Sequence, residues 1–183
     1  MVPLRFSSDE AGLQKALERA KLWTCPRCGR TGALVGHGLV FGYAERDGSR
    51  VLRGRRFLCS NRFRRLGCGR TFSTLLAEVL ARFVVRVPTL YGFVRAVVAG
   101  LSRRAAWRAA ARTMSMSSGY RLWRRLGRAQ AAIRARLCRA CAPPESSTSE
   151  PLGQMVAHLE RIFPTASCPL TAFQSQWQAS LLG

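Results

Sequence analysis

The spacing of apolar positions changes from helical to alternating and back to helical along this chain of 183 residues. Near the N-terminus, Leu13, Leu17 and Ala20 recur at helical spacing behind Ser7-Ser8-Asp9-Glu10. That tetrapeptide is a capping box with Ser7 at the N-cap and Glu10 three residues on, so the pattern predicts a first helix over 8–22. Residues 33–43 and 49–58 then form two β-rich runs around Asp47-Gly48, a dipeptide that tolerates the positive φ of a tight hairpin turn. Beyond Pro88 the helical period returns, with Thr89 placed to cap a helix whose face is Leu90, Phe93, Val94, Val97 and Val98 and which ends at Gly100. Ser102 can cap a second helix, with Ala106, Trp107 and Ala110 inward and Arg103, Arg104, Arg108 and Arg112 outward. Ser115 or Ser117 can cap a third, beginning near Gly119 and carrying Tyr120, Leu122, Trp123 and Leu126 on its apolar side.

Strong helix formers fill 128–137, so the third helix is expected to run about 20 residues or more. Its stripe of Trp123, Gln130, Ile133 and Leu137 suits either the pairing of two copies or packing against the last helices. The Pro-, Ser- and Glu-rich segment 143–151 is a linker by composition. After it, Leu152, Met155, Val156, Leu159, Ile162 and Phe163 mark an amphipathic helix stopped by Pro164, and Leu170, Phe173, Trp177 and Leu181 mark another. The tail either closes the core as a helical hairpin or serves a partner protein. The expectation is a small α+β chain. Residues 1–78 form a helix and a cysteine-bounded hairpin, 79–142 a basic helical region with a long third helix, 143–151 a linker and 152–183 a helical tail.

Cysteine spacing turns the hairpin into a candidate metal site. The tetrapeptide Cys-Gly-Arg-Thr occurs at 28–31 and again at 68–71, preceded by Cys25 and Cys59 respectively, so one Cys pair stands at each end of the hairpin. A Gly directly after the last Cys supplies the positive φ of a thiolate-binding turn. Cys25, Cys28, Cys59 and Cys68 would then complete a tetrahedral four-sulfur Zn2+ site, and a hairpin between two zinc knuckles is a zinc ribbon. Arg27, Arg30 and Arg70 would offset the double negative charge of a zinc–tetrathiolate centre. His37 belongs to the strand surface, because four Cys already fill a closed site. Cys138 and Cys141 form a Cys-x-x-Cys with no second pair nearby, and are read as buried small side chains.

Charge then points to a partner. The formal net charge of +21 rests on 30 cations, nearly all Arg, against 9 acids. Residues 79–144 contain fourteen Arg and no Asp or Glu. An anionic partner is the first expectation. A short second helix, a Ser-containing turn and an Arg-laden third helix read as a helix-turn-helix. In it Ser117, Ser118, Arg121, Arg124, Arg125 and Arg128 would lie at or near a DNA major groove, with Arg103 and Arg104 alongside. Arg suits that role because its planar fork takes guanine O6 and N7, or a phosphate, bidentately. On the hairpin, Arg53, Arg55 and Arg56 could line an exposed face, and Arg62, Arg64 and Arg65 sit on a loop beside the metal. The most apolar window, 79–101, is interrupted by Arg82, Arg86, Pro88 and Arg95, so no membrane span is expected, and a cytoplasmic, nucleoid-associated protein is.

Cys25-Pro26-Arg27-Cys28, Gly36-His37-Gly38, Arg55-Arg56-Phe57-Leu58-Cys59 and Gly67-Cys68-Gly69-Arg70-Thr71-Phe72 resemble the N-terminal zinc ribbons of bacterial insertion-sequence transposases and their DNA-binding accessory proteins. A helix-turn-helix often follows the ribbon in those relatives. The chain departs from the family pattern in placing eight residues, 60–67, between the Cys of the second knuckle. The resemblance implies duplex DNA recognition, as a transcriptional regulator or as the recognition module of a mobile element, with homodimerisation or a separate catalytic partner as options. Such transposases cut DNA with metals held by three carboxylates, and a chain with Asp9 and Asp47 as its two Asp is not expected to be an enzyme on its own. A truncated transposase needing a partner is one alternative. The other is an RNA-binding zinc-ribbon protein, for which Phe41, Tyr43, Phe57 and Phe63 could stack unpaired bases.

Overall fold

The computed structural model describes residues 4–63, 66–145 and 148–182. Among them are a four-stranded mixed sheet and six α-helices. Strands β1 (Leu4–Ser7), β2 (Leu34–Tyr43), β3 (Arg50–Cys59) and β4 (Thr71–Leu76) lie in the order β1-β4-β3-β2. The β2–β3 hairpin turns where Asp47-Gly48 places it. Gly48 has φ +68, and an Asp47 carboxylate oxygen accepts the Ser49 N–H at 2.9 Å. β3 and β4 pair antiparallel, and β1 joins β4 in parallel.

Strand β1 corrects the start of the first helix. Ser7 is in the sheet, so the N-cap passes to Asp9, whose carboxylate accepts the Gly12 N–H at 2.7 Å. The α-helix α1 spans Glu10–Glu18, and a separate 3₁₀ turn at Ala20–Leu22 takes up the rest of the expected 8–22. Leu13, Ala16 and Ala20 are buried against the sheet. There Phe57 and Phe72 stack at 5.5 Å and Trp23 tilts against Phe57 at 5.7 Å, forming a small core that runs directly into the cysteines.

The basic helices are α2 (Val87–Val98), α3 (Arg103–Ala110) and α4 (Met116–Leu137). α2 begins two residues before Thr89, with Pro88 in its first turn, where the missing N–H costs no hydrogen bond. Thr89 is therefore no cap. α2 ends in a Schellman motif, with Gly100 at φ +99, Leu101 N–H bonded to the Ala96 carbonyl and Gly100 N–H to that of Val97. Ser102 caps α3 as its sequence suggests, accepting the Ala105 N–H at 3.2 Å. α4 starts at Met116 rather than near Gly119, and its length of 22 residues matches the expected long helix.

Gly119 lies within the helix because of Trp107. A Cβ at Gly119 would sit 2.6 Å from the Trp107 ring, so only Gly lets α4 cross α3 this closely. The Trp107 indole N–H is satisfied by the Ser115 carbonyl at 2.9 Å, and Phe93 of α2 packs edge-on against Trp107 at 5.1 Å and Trp123 at 5.7 Å. Tyr120, expected on the apolar side, is 47% exposed.

The tail helices α5 (Pro151–Ile162) and α6 (Pro169–Trp177) pack into the same apolar cluster as α2, α3 and α4. Leu137, Met155, Leu159 and Phe173 are fully covered there. Polar hooks tie the tail to the rest. The Tyr91 hydroxyl donates to Glu160 at 2.6 Å, while the Gln174 amide donates to the Ala77 and Val79 carbonyls. Gln178 exchanges two hydrogen bonds with the Phe6 backbone in β1.

Glu45, beside the hairpin turn, joins the sheet to the helices. One carboxylate oxygen accepts the Arg86 N–H at the start of α2, the other accepts the Thr89 hydroxyl at 2.7 Å, and the Glu45 carbonyl accepts the Thr113 hydroxyl between α3 and α4 at 2.7 Å.

Candidate metal centre and basic surface

The sulfurs of Cys25, Cys28, Cys59 and Cys68 all lie within 4.8 Å of one another. Cys25 and Cys68 are 3.9 Å apart and Cys28 and Cys59 3.7 Å. Four ligands at about 2.3 Å around a tetrahedral zinc would be separated by about 3.8 Å. These two separations match the edge of a tetrahedral metal–thiolate site, and the donor set fits a soft or borderline cation such as Zn2+.

The repeated tetrapeptide builds this cluster by repeating a backbone pattern. Cys25 N–H bonds to the Arg30 carbonyl at 2.8 Å, and Cys59 N–H to that of Arg70 at 2.9 Å. Gly29 N–H bonds to the Cys25 carbonyl at 2.9 Å, and Gly69 N–H to that of Cys59 at 2.8 Å. Gly29 and Gly69 have φ +72 and +69. The two turns close alike although the second spans a longer segment, because Gly67 N–H returns to the Ser60 carbonyl at 3.0 Å and brings the two ends of the insertion together. Backbone N–H groups also point at sulfur, from Arg27 to Cys25 at 3.4 Å and from Cys68 to Cys59 at 3.3 Å.

The four thiols are not equivalent. The Arg30 backbone N–H holds the exposed Cys28 thiol down to about 7, whereas burial pushes the Cys59 thiol up to about 12. A bound cation would supply the charge that keeps the buried sulfurs ionised. Arg27 bridges the two turns by donating from Nε to the Thr71 carbonyl at 3.3 Å, and Arg30 donates to the Leu66 carbonyl. His37 is exposed on β2 and stands outside the cluster. Cys138 is also exposed, contrary to its reading as a buried side chain, while Cys141 is half-buried against His158 at 3.5 Å.

The Arg residues expected to contact nucleic acid divide by location. Arg53 turns inward, donating to the Leu80 carbonyl at 3.2 Å, and burial lowers its pKa. Arg55 is half-buried, with a covered Nε. Arg56 and Arg62 are exposed, and Arg64 and Arg65 lie outside the described residues. On the helices Arg103, Arg104, Arg121, Arg124, Arg125 and Arg128 are all exposed. Helical geometry sets Ser117, Arg121, Arg124 and Arg128 along one stripe of α4, opposite the buried Leu122, Leu126 and Ile133. Arg103 stacks on Trp123 at 5.3 Å and Arg125 on Phe83 at 5.0 Å, which holds both guanidinium groups at the surface. The hydroxyls of Ser117 and the half-buried Ser118 lie 2.9 and 3.1 Å from that of Ser115.

Among the described residues, ion pairs link Arg86 to Glu78 and Arg95 to Glu160, and none involves the Arg residues of α3 or α4. Sequence reasoning missed Glu45, since nothing local distinguishes a carboxylate that caps a helix 41 positions away. It also left open which hairpin aromatics are exposed. Phe57 is core, whereas Phe41 and Tyr43 are 42% and 65% exposed. Among the described residues, no helix is long and apolar enough to cross a membrane. Comparison with family models, curated proteins and solved structures finds no match to this chain.

Proposed function

We propose that the chain is a zinc-dependent DNA-binding protein in which the hairpin between the two Cys turns is a zinc ribbon and α2, α3 and α4 form a helix-turn-helix. The observation that carries this reading is the exposed, carboxylate-free Arg stripe of α4, beginning one turn past the α3–α4 connection. Cys25, Cys28, Cys59 and Cys68 would hold the metal. Four thiolates leave no open coordination position, so the metal would organise structure rather than activate water. Strand cleavage is not part of the proposal. Asp9 and Glu150 cap helices, Asp47 holds the hairpin turn, and Glu45, Glu78 and Glu160 bond to groups of other segments.

Phosphate contacts from the Arg stripe would supply affinity, and a few side chains entering the major groove would supply base readout. Two measurements test the reading. Selection from a random duplex pool by zinc-loaded protein should enrich a motif, and an inverted motif would indicate a dimer. Replacing Arg121, Arg124 and Arg125 with Ala should weaken duplex binding and flatten its log–log salt dependence by about 0.9 for each phosphate that is no longer neutralised. An unchanged salt slope in that variant would sink the helix-turn-helix assignment.

A further inference from the structure

Leu39, Phe41 and Tyr43 alternate along β2 and therefore share one face of the strand. The opposite face is taken up locally, since Gly42 lies beneath the Arg53 side chain, where a Cβ would overlap Arg53 Cδ. The outward side chains of Leu39, Phe41 and Tyr43 are 47%, 42% and 65% exposed. β3 places Arg55 opposite Leu39 and Arg50 opposite Tyr43, and the Arg50 guanidinium stands 4.3 Å from the Phe41 ring centroid. β2 is also one of the two edge strands of the sheet. The result is a row of flat groups, one aromatic, one guanidinium stacked on an aromatic, at the open side of a basic hairpin.

We propose that this face is a stacking platform for unpaired bases, so that the preferred ligand is duplex DNA bordered by a short single-stranded stretch; the inference rests on the DNA-binding reading above. Charge selects the occupant. Arg46 and Arg50 are exposed at the tip of the hairpin beside the platform, while the nearby acids are engaged, Glu45 by Arg86 and Thr89 and Asp47 by Ser49. A second copy would bring the same cations face to face. A partner carrying both phosphates and flat apolar faces fits, and bases offer those faces only where they are unpaired. Glu45 fixes the hairpin tip to the start of α2 and to the α3–α4 connection, so the platform holds a set position relative to the Arg stripe of α4.

The test compares a blunt duplex with the same duplex extended by a few unpaired nucleotides, one of them 2-aminopurine, using the zinc-loaded full chain at fixed salt. The extended probe should bind about tenfold more tightly or better, with quenched 2-aminopurine fluorescence, because each stacked base strengthens binding on that scale. The double variant Phe41→Leu and Tyr43→Leu keeps apolar bulk in the strand but removes both rings. It should bind blunt duplex as the parent does and lose both the gain and the quenching. Equal binding of the two probes by the parent, or a gain retained by the variant, overturns the platform while leaving the duplex reading intact. Failure to bind either probe removes the DNA reading and the platform with it. Tighter binding to single-stranded RNA than to extended DNA likewise overturns the proposal.

Discussion

The sheet half and the helical half solve the same problem of chain entropy by different means. The helical half buries a long run of large side chains, from Leu80 through Trp107 and Leu126 to Phe173 and Leu181, in one continuous cluster. Beside the cysteines, the sheet half buries a much smaller set, chiefly Leu34, Phe57 and Phe72 with several Ala. A small apolar core seldom compensates for the ordering of a hairpin with two ten-residue strands, which is where a metal cross-link has most to contribute. Cys25 and Cys59 are themselves buried in that small core, and the helices carry no comparable cluster among the described residues. Position in the chain thus matters less than which half can bury enough apolar surface.

Stripping the metal proposed for the four Cys should have the largest effect. Structural zinc in small folds contributes an apparent ~10 kcal/mol or more, enough to decide whether a domain of ordinary stability folds. Cys59→Ser, or chelation of the intact chain, should release the hairpin amides to rapid hydrogen exchange while leaving α2 through α6 protected. Unchanged protection of β2 and β3 after chelation would show that the cluster is not what holds the sheet half.

The converse experiment acts on the helices. Trp107 is fully buried, packs on Phe93 and covers Gly119, so Trp107→Ala should destabilise the helical half by about 3–5 kcal/mol and leave the Ser115 carbonyl without its donor. Denaturant melts followed by circular dichroism should show the loss, while the metal-to-protein ratio measured on the folded variant stays that of the parent. A variant that also lost its metal would argue that the two halves have no separate sources of stability.

The smallest effect is the most direct probe of their connection. Glu45→Ala removes the acceptors of the Arg86 N–H and the Thr89 hydroxyl, at a cost of about 1–3 kcal/mol. With cobalt in the cysteine site, thiolate–metal absorbance reports on the sheet and circular dichroism on the helices. The two unfolding curves should coincide in the parent and separate in the variant. Coincidence in both would mean that the Gln174 and Gln178 hooks, rather than Glu45, couple the halves.

Local signals proved legible where the chemistry is itself local. Asp47-Gly48 marked the hairpin, Ser102 the start of α3, Gly100 the end of α2, and the doubled Cys-Gly-Arg-Thr the two matching turns. Errors arose where a distant partner outweighed a local preference. Ser7 lost its cap to a strand that exists because β4 lies beside it, and Thr89 gave its hydroxyl to Glu45. Arg53 looked like surface charge and instead reaches the Leu80 carbonyl, because a register shift between Val40 and Phe41 leaves it as the unpaired residue of β3. Tyr120 fell on the exposed edge of α4 because two positions along a helix, from Tyr120 to Leu122, turn it about 200° from the buried face, and Gly119 makes the close contact with Trp107.

The cysteine spacing, the period of each segment and the acid-free Arg block are legible in the residue order alone, since they depend on residue types within a few turns of one another. It took the folded chain to bring four sulfurs within 4.8 Å of one another, to seat the tail in the helical core and to pair β1 with β4. The tertiary structure also decided which hairpin aromatics stay exposed and that one carboxylate holds the hairpin tip against the helices. Each of these is a contact between segments far apart in the chain. Its free energy comes from the packing that surrounds it, and no local window of sequence contains that packing.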